Sequence, residues 1–259
     1  TFCMNVDLLK KAISKKTKAI VPVHFTGYMT NMPKLLKISK KYKIPIVEDA
    51  CQSILGSINE KNAGTWGDLG TFSLHPLKNI NVWSDGGVIV TNKKSYYKKL
   101  CLLRNHGLSN RDTVKVLGFN SRLDTFQAIV GSWLLPKAKK ITNQRIENAT
   151  YYDKHFSKIS EITIPPRIKN YKIVFHLYSI FVEKRNKLLK YCIKRGIEAK
   201  VHYPTPIYLQ KALAFRKYKK GDFPTTDKHA TKVITFPCDQ HLNRKQLDYI
   251  IKTVKIFYS

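Results

Sequence analysis

A strand, a helix and a second strand follow one another near the start of the chain, and this order constrains the fold more than any other feature. Residues 19–24 form an apolar run typical of a strand, residues 34–42 have helical spacing, and residues 44–47 form a second apolar run. Such a βαβ unit belongs to a parallel sheet, because parallel neighbours need a crossover connection. Functional side chains collect at the carboxyl ends of parallel strands. The sequence therefore predicts an α/β fold whose site includes the residues after the second strand.

The pattern of apolar residues changes near residue 145. Before it, residues 70–74 and 88–91 are predicted strands, and the loop between them contains Lys78. We therefore predict a large domain over residues 1–145 and a smaller α+β domain over residues 146–259. Helices are predicted at residues 95–104, 148–156, 185–195 and from 244 onward, a further strand at 173–182, and an apolar helical stripe from Leu123 to Leu134 that packs in the core.

The chain carries a large excess of positive charge. Its 47 Lys and Arg residues against 17 Asp and Glu residues give a formal net charge of +30. Such an excess attracts polyanions, so a basic nucleic-acid-binding or scaffold protein is one hypothesis. The lysines are spread in short clusters, however, and no nucleic-acid-binding motif accompanies them. A solvated lysine-rich surface, with no specific nucleic acid as partner, is the favoured interpretation.

The cysteines and the apolar runs predict the cellular compartment of the protein. The five cysteines are scattered and odd in number, and none is spaced as C-x-x-C, so neither a disulfide framework nor a metal site is predicted. No apolar run reaches the roughly 18 to 20 residues that cross a bilayer. We therefore expect a cytoplasmic protein without a membrane span.

Two polar segments follow predicted strands and are candidates for chemistry. Glu48 and Asp49 end the second strand, and Gln52 follows shortly after them. In the next loop, Ser73 precedes Lys78 by five positions. A lysine held beside a phosphate-binding hydroxyl can bind an aldehyde cofactor if its amine loses its proton. Taken singly, an Asp at a strand end is more often a turn or cap residue, and a lysine in so basic a chain is more often solvated.

These residues belong to a longer series of short motifs. In order and approximate spacing, the series resembles the DegT/StrS-type sugar aminotransferases over most of the chain, and coincidence does not explain so many ordered matches. The motifs are Pro22-Val23-His24, Glu48-Asp49-Ala50-x-Gln52, Phe72-Ser73-x-His75-Pro76-x-Lys78-Asn79, Asp85-Gly86-Gly87, Arg104-Asn105-His106-Gly107, Gly118-Phe119-Asn120-Ser121-Arg122-Leu123-Asp124, Gln127-Ala128, Gly196-Ile197 and His202-Tyr203-Pro204-x-Pro206.

The resemblance implies the PLP-dependent transferase fold type I, with a three-layer α/β/α large domain and a smaller α+β C-terminal domain. It also implies pyridoxal 5′-phosphate (PLP) as the cofactor. Lys78 would be the Schiff-base lysine and the proton shuttle, and Asp49 would pair with the pyridine nitrogen. Gln52 would hydrogen-bond the phenolic oxygen, and Ser73 would donate to the phosphate. Asn120 would reach the phosphate of the neighbouring subunit, in a homodimer with a shared active site.

The resemblance further implies a substrate. We expect a nucleotide-linked keto sugar, with dTDP as the nucleotide and glutamate as the amino donor, in amino-sugar and cell-surface polysaccharide biosynthesis. His75, Asn79, His202 and Tyr203 are candidates for substrate binding. For His75 and Asn79, shaping the loop is an equal alternative, and a lone histidine is more often structural.

The N-terminal region that the family carries has no counterpart in this sequence. That region holds a Gly-Thr or Gly-Ser turn and an aromatic residue that stacks on the cofactor ring. We therefore expect that the N-terminal part of the large domain is missing. Two alternatives to a sugar aminotransferase remain. One is a sugar dehydratase of the same family, in which histidine replaces the lysine, so Lys78 argues against it; the other is an inactive fragment with incidental polyanion binding.

Overall fold

In the computed structural model, which describes residues 1–259, the first part of the chain has a parallel βαβ arrangement, but the strand predicted over residues 19–24 is reduced to isolated bridges. Residues 20–23 lie alongside strand β1 (Val47–Asp49) through two parallel bridges, and helix α2 (Met32–Tyr42) connects the two segments. The Asn31 side chain caps α2 by accepting the Lys34 N–H, which satisfies one of the donors that a helix start leaves open. The helix then buries Met32, Leu35 and Ile38 in the core.

Strand β4 (Leu69–Ser73) joins β1 to the next strand. It pairs in parallel with β1 and antiparallel with β5 (Gly87–Val90), so the sheet order is β1-β4-β5. Parallel neighbours end at the same edge of a sheet, and the loop over residues 74–86 therefore begins at the edge where Asp49 ends β1. Three two-residue strands form a separate sheet, with the order β3-β2-β7: β2 (Ser57–Ile58), β3 (Lys61–Asn62) and β7 (Tyr171–Lys172).

Helix α4 (Thr125–Leu134) carries the apolar stripe that the sequence predicts to pack in the core. Within this chain, that prediction is wrong for three side chains of the stripe, whereas Leu123 and Leu134 are partly buried and pack against a buried cluster. Val130 is buried, but Phe126, Ile129 and Trp133 are each more than 60% exposed. These three side chains recur three and four positions apart, so they share one face of the helix, and that face is open. Besides α2, the other α-helices that begin before residue 138 are α1 (Val6–Ala12) and α3 (Lys94–Arg104).

The chain divides into two compact units. The first contains residues 1–143 and 168–176, and the second contains residues 144–167 and 177–259. A strand predicted over residues 173–182 begins only at Tyr178, because residues up to 176 belong to the first unit and Phe175 has a φ of 46°, which is incompatible with a strand.

The second unit is built on an antiparallel sheet of β6 (Ile162–Thr163), β8 (Tyr178–Val182) and β9 (Val233–Phe236), in the order β6-β8-β9. A cluster of aromatic rings packs at its core, in which Tyr152 stacks on Phe156 with a centroid distance of 5.3 Å and both rings contact Tyr178. None of the helices of the chain combines the length and the apolar character that crossing a bilayer requires. The α-helices from residue 138 onward are α5 (Ala138–Phe156), α6 (Arg185–Ile193), α7 (Pro224–Lys232) and α8 (Arg244–Tyr258).

Candidate active site

Asp49 is held in place at the end of β1 by two backbone hydrogen bonds to residues 22 and 24. Its N–H donates to Pro22 O, and its own carbonyl accepts the His24 N–H, at 3.0 and 2.9 Å. The side chain is half-buried, and its Oδ1 accepts the Cys51 N–H at 3.1 Å. Because the turn after β1 is tied to this carboxylate, Asp49 presents a fixed negative charge at the sheet edge.

The residue before it, Glu48, is fully buried, and each oxygen of its carboxylate has two hydrogen-bond donors. Oε2 lies 3.0 Å from His24 Nε2 and accepts the Gly64 N–H at 2.9 Å. Oε1 accepts the N–H groups of Trp66 and Gly67, both at 2.6 Å. A buried charge is tolerated when it is paired and hydrogen-bonded in this way. The sequence places Glu48 beside Asp49 in one motif but does not indicate this network, because its donors are mostly backbone groups.

The turn after His24 fixes the orientation of the Gln52 amide. His24 Nδ1 accepts the Thr30 N–H at 3.3 Å, so Nε2 carries the hydrogen that it donates to Glu48. Inside the turn, Thr26 has a φ of 59° and donates its N–H to Gln52 Oε1 at 2.7 Å. The amide oxygen of Gln52 is therefore used by the protein, and its NH₂ group remains as the donor for a ligand.

Lys78 lies in the loop after β4, and its amine interacts with the end of β1. The backbone N–H of Lys78 donates to His75 O at 2.8 Å, which makes a tight turn. Partial burial lowers the pKa of the Lys78 amine, while electrostatic interaction with Cys51 and Asp49 opposes that shift. Lys78 and Asp49 are therefore close enough for electrostatic interaction. Burial also favours the neutral form of the Lys78 amine more than in a solvated lysine.

Ser73 and His75 shape the start of the same loop. Ser73 Oγ accepts the His75 N–H at 3.2 Å, so its hydroxyl hydrogen remains available to a ligand. His75 Nδ1 accepts the Leu77 N–H at 3.2 Å, and Nε2 lies 4.0 Å from the Asp85 carboxylate. One nitrogen of His75 is thus committed to the loop itself, and the other faces an acidic neighbour.

Asn79 differs from the other candidates because it is an interior residue. Its side chain is only 4% exposed. Its Nδ2 donates to Val174 O at 3.2 Å, and its Oδ1 lies 3.4 Å from His176 Nδ1. Both ends of the amide are therefore engaged within the first unit, by a segment that follows almost a hundred positions later.

The remaining candidates lie on other elements. Asn120 is exposed and accepts the Arg122 Nε–H at 3.2 Å. In the second unit, His202 is half-buried with Nδ1 3.1 Å from Thr235 Oγ1, and burial lowers its pKa, assisted by the charge of Lys200. Tyr203 is exposed. The structure thus brings Asp49, Gln52, Ser73 and Lys78 to one sheet edge of the first unit, whereas His202 and Tyr203 belong to the second unit.

The profile of the DegT/DnrJ/EryC1/StrS aminotransferase family matches residues 1–255. The chain belongs to this family. Members of the DegT/DnrJ/EryC1/StrS family are PLP-dependent aminotransferases, and nucleotide-linked keto sugars are substrates among them. The expectations of a type I PLP fold and of a PLP-dependent sugar aminotransferase are therefore confirmed.

Individual relatives agree with this assignment. The chain is 34% identical to a "pleiotropic regulatory protein" of Geobacillus stearothermophilus, over 100% of this chain and 70% of that protein. It is 32% identical to a dTDP-3-amino-3,6-dideoxy-alpha-D-galactopyranose transaminase of Aneurinibacillus thermoaerophilus, over 96% of this chain and 69% of the relative. The crystal structure of S. venezuelae DesV in complex with a ketimine intermediate superimposes with a TM-score of 0.96 at 30% identity, over 99% of this chain and 69% of the other.

Proposed function

We propose that this protein moves an amino group from glutamate onto a keto-deoxyhexose carried by dTDP. The observation that carries the proposal is the convergence of Asp49, Gln52, Ser73 and Lys78 at one edge of the sheet, each with the group that PLP needs left available. The similarity to a transaminase that is named for a dTDP-linked amino sugar supports the choice of nucleotide. An amino-sugar product of this kind suits cell-surface polysaccharide biosynthesis.

The donor set fits the cofactor group by group. Bound PLP supplies an electron-withdrawing ring that stabilises negative charge on the carbon that loses a proton. The carboxylate of Asp49 would hold the ring nitrogen protonated, and the NH₂ of Gln52 would donate to the phenolic oxygen, since its oxygen is already bonded to Thr26. The free hydroxyl hydrogen of Ser73 would reach the phosphate.

Lys78 has the properties of a residue that both holds the cofactor and carries protons. An amine must be neutral to act as a nucleophile or to accept a proton, and the partial burial of Lys78 lowers its pKa in that direction. The nearby carboxylate of Asp49 limits the shift, so the amine is able to take up a proton as well as to release one. We assign both half-reactions to this single amine.

The substrate would be attracted and oriented by separate groups. A net charge of +30 favours the approach of an anionic nucleotide diphosphate, an effect that salt screens. We propose His75, His202 and Tyr203 as sugar or nucleotide contacts. Burial lowers the pKa of His202, which favours its neutral form, and Thr235 holds one of its nitrogens, so the other is free to bond a sugar hydroxyl.

The reaction assay tests the substrate and the donor together. Incubation of the full protein with PLP, glutamate and a dTDP-linked 3-keto-deoxyhexose should release one 2-oxoglutarate for each amino sugar formed, as measured by coupled dehydrogenase absorbance and mass spectrometry. Parallel reactions with the UDP-linked keto sugar and with the 4-keto isomer define specificity. Loss of water from the sugar without 2-oxoglutarate would identify a dehydratase and contradict the proposal.

We also propose that the protein works as a homodimer in which Asn120 reaches the phosphate site of the partner subunit. The open face of α4 supports this, because Phe126, Ile129 and Trp133 expose apolar surface of the kind that marks protein interfaces, and the Trp83 ring lies 6.3 Å from Phe126. Asn120 itself is exposed, on the segment just before this helix.

A charge on this face should separate the subunits. Substitution Ile129→Asp should raise the dimer dissociation constant by about 30-fold or more, since a buried interface anchor is worth about 2 kcal/mol or more. Sedimentation velocity over a concentration series measures the change. The control is Leu8→Asp, which places the same charge at a similarly exposed leucine on α1. If wild type and both variants sediment equally, α4 is not part of the dimer interface.

A further inference from the structure

A short buried segment, residues 173–176, contacts two of the loops that carry the candidate site. Ile173, Val174 and Phe175 are almost completely buried. This segment, which we call the strap, belongs to the first unit, although the chain before residue 168 and after residue 176 belongs to the second. The left-handed φ of 46° at Phe175 interrupts any strand and turns the backbone between its two partners.

The strap holds the Lys78 loop through Asn79. The Nδ2 of Asn79 donates to Val174 O, and its Oδ1 faces His176 Nδ1. On the other side of the lysine, the Lys78 N–H is bonded to His75 O. The backbone of Lys78 is therefore held on both sides, once within its own loop and once by a distant segment.

The same strap holds the turn that orients Gln52. The Val174 N–H donates to Gly27 O at 3.2 Å. The two backbones approach so closely that a Cβ on Gly27 would lie 2.6 Å from Phe175 N, and Gly27 also has a φ of 103°. The residue before it, Thr26, is the one that donates to Gln52 Oε1. Lys78 and Gln52 are thus tied to one common support.

We propose that Asn79 is a positioning residue that, through the strap, fixes the Lys78 amine relative to Gln52 and Asp49. This inference rests on the proposed function of Lys78. A displacement of about 1 Å in a reacting group can cost about a hundredfold in rate, so an amide that joins two such groups to one rigid segment affects catalysis without touching substrate. Val174 and His176 engage both ends of the Asn79 amide, and the side chain is buried, which favours this role over the substrate contact predicted from the sequence.

The first test compares Asn79→Ala with a matched control. Asn148→Ala is the control because Asn148 is also 4% exposed and also donates from Nδ2 to a backbone carbonyl, that of Asp239, but in the second unit. Both variants should lose similar stability in urea unfolding. Only Asn79→Ala should lower kcat, by about 10- to 100-fold with KM for the keto sugar nearly unchanged, and only it should move the pH midpoint of the absorbance of bound PLP.

A second measurement needs no cofactor. In the protein without PLP, acetic anhydride labelling followed by mass spectrometry of the peptide spanning residues 71–79 reports how accessible the Lys78 amine is. Asn79→Ala should raise the labelling rate of Lys78 several-fold relative to the other lysines, and Asn148→Ala should not. His176→Gln, a milder change at the same contact, should shift both readouts in the same direction and serves if Asn79→Ala does not fold.

The outcomes separate this inference from the proposed function. A wild-type protein that neither binds PLP nor releases 2-oxoglutarate defeats the proposed function, whatever the labelling shows. Unchanged labelling of Lys78 and an unchanged pH midpoint in folded Asn79→Ala and His176→Gln defeat the positioning role. A raised KM for the sugar with normal kcat and normal labelling would make Asn79 a substrate contact and would also overturn it.

Discussion

Replacement of Lys78 with alanine should lower kcat for transamination by about a thousandfold or more while the protein stays folded. A positioned acid and base contributes about 10² to 10⁴ in rate, and in this protein one amine is assigned to both half-reactions and to the attachment of the cofactor. The side chain is only half-buried and its amine makes no structural hydrogen bond, so its removal leaves the fold intact. Initial rates with glutamate and the keto sugar, with unfolding curves beside them, measure both effects.

Two comparisons make the Lys78 experiment decisive. Borohydride reduction of the PLP-treated wild type should add the mass of the reduced cofactor to the peptide spanning residues 71–79, and Lys78→Ala should lose that increment. Lys34→Ala is the control, because Lys34 is an exposed lysine of α2 paired with Asp7 and its loss should leave kcat unchanged. A cofactor increment on a different peptide, or a Lys78→Ala variant with near-normal kcat, would show that another lysine performs the chemistry.

The sequence predicts the location of the site better than its internal geometry. The βαβ order and the strand after it are sufficient to place Asp49 and the Lys78 loop at one edge, because parallel strands end together. The partners of Asn79 could not be found in this way, since they lie 95 and 97 positions later on a segment without regular structure. Glu48 binds backbone N–H groups 16 to 19 positions away, and no residue type signals a backbone donor.

Two incorrect expectations have physical causes of the same kind. The apolar spacing of α4 predicts a buried face, but the spacing does not say whether the covering surface comes from the same chain, and here Phe126 and Trp133 remain exposed within it. The apolar run at 173–182 predicts a strand, but apolar residues are also buried in irregular segments, and the positive φ of Phe175 ends the regular backbone there.

Removal of the Glu48 carboxylate should destabilise the fold by about 3 to 5 kcal/mol, which is a large share of the stability of a typical domain. Glu48→Ala leaves the His24 imidazole and the N–H groups of Gly64, Trp66 and Gly67 without their acceptor, and both Glu48 and His24 are fully buried. An unpaired buried donor costs more than the net value of the bond it has lost. Urea unfolding, followed by circular dichroism, measures the loss.

Two variants beside Glu48→Ala show whether charge or acceptor geometry accounts for the loss. Glu48→Gln keeps the shape but replaces one acceptor oxygen by an NH₂ group that would face N–H donors, so we expect a loss smaller than that of alanine but still well above 1 kcal/mol. Asp7→Ala removes a carboxylate paired with Lys34 on the surface and should cost less than about 1 kcal/mol, because water screens that pair. A Glu48→Ala variant that unfolds with the same free energy as Asp7→Ala would mean that the turn and the loop around Glu48 rearrange to reach water.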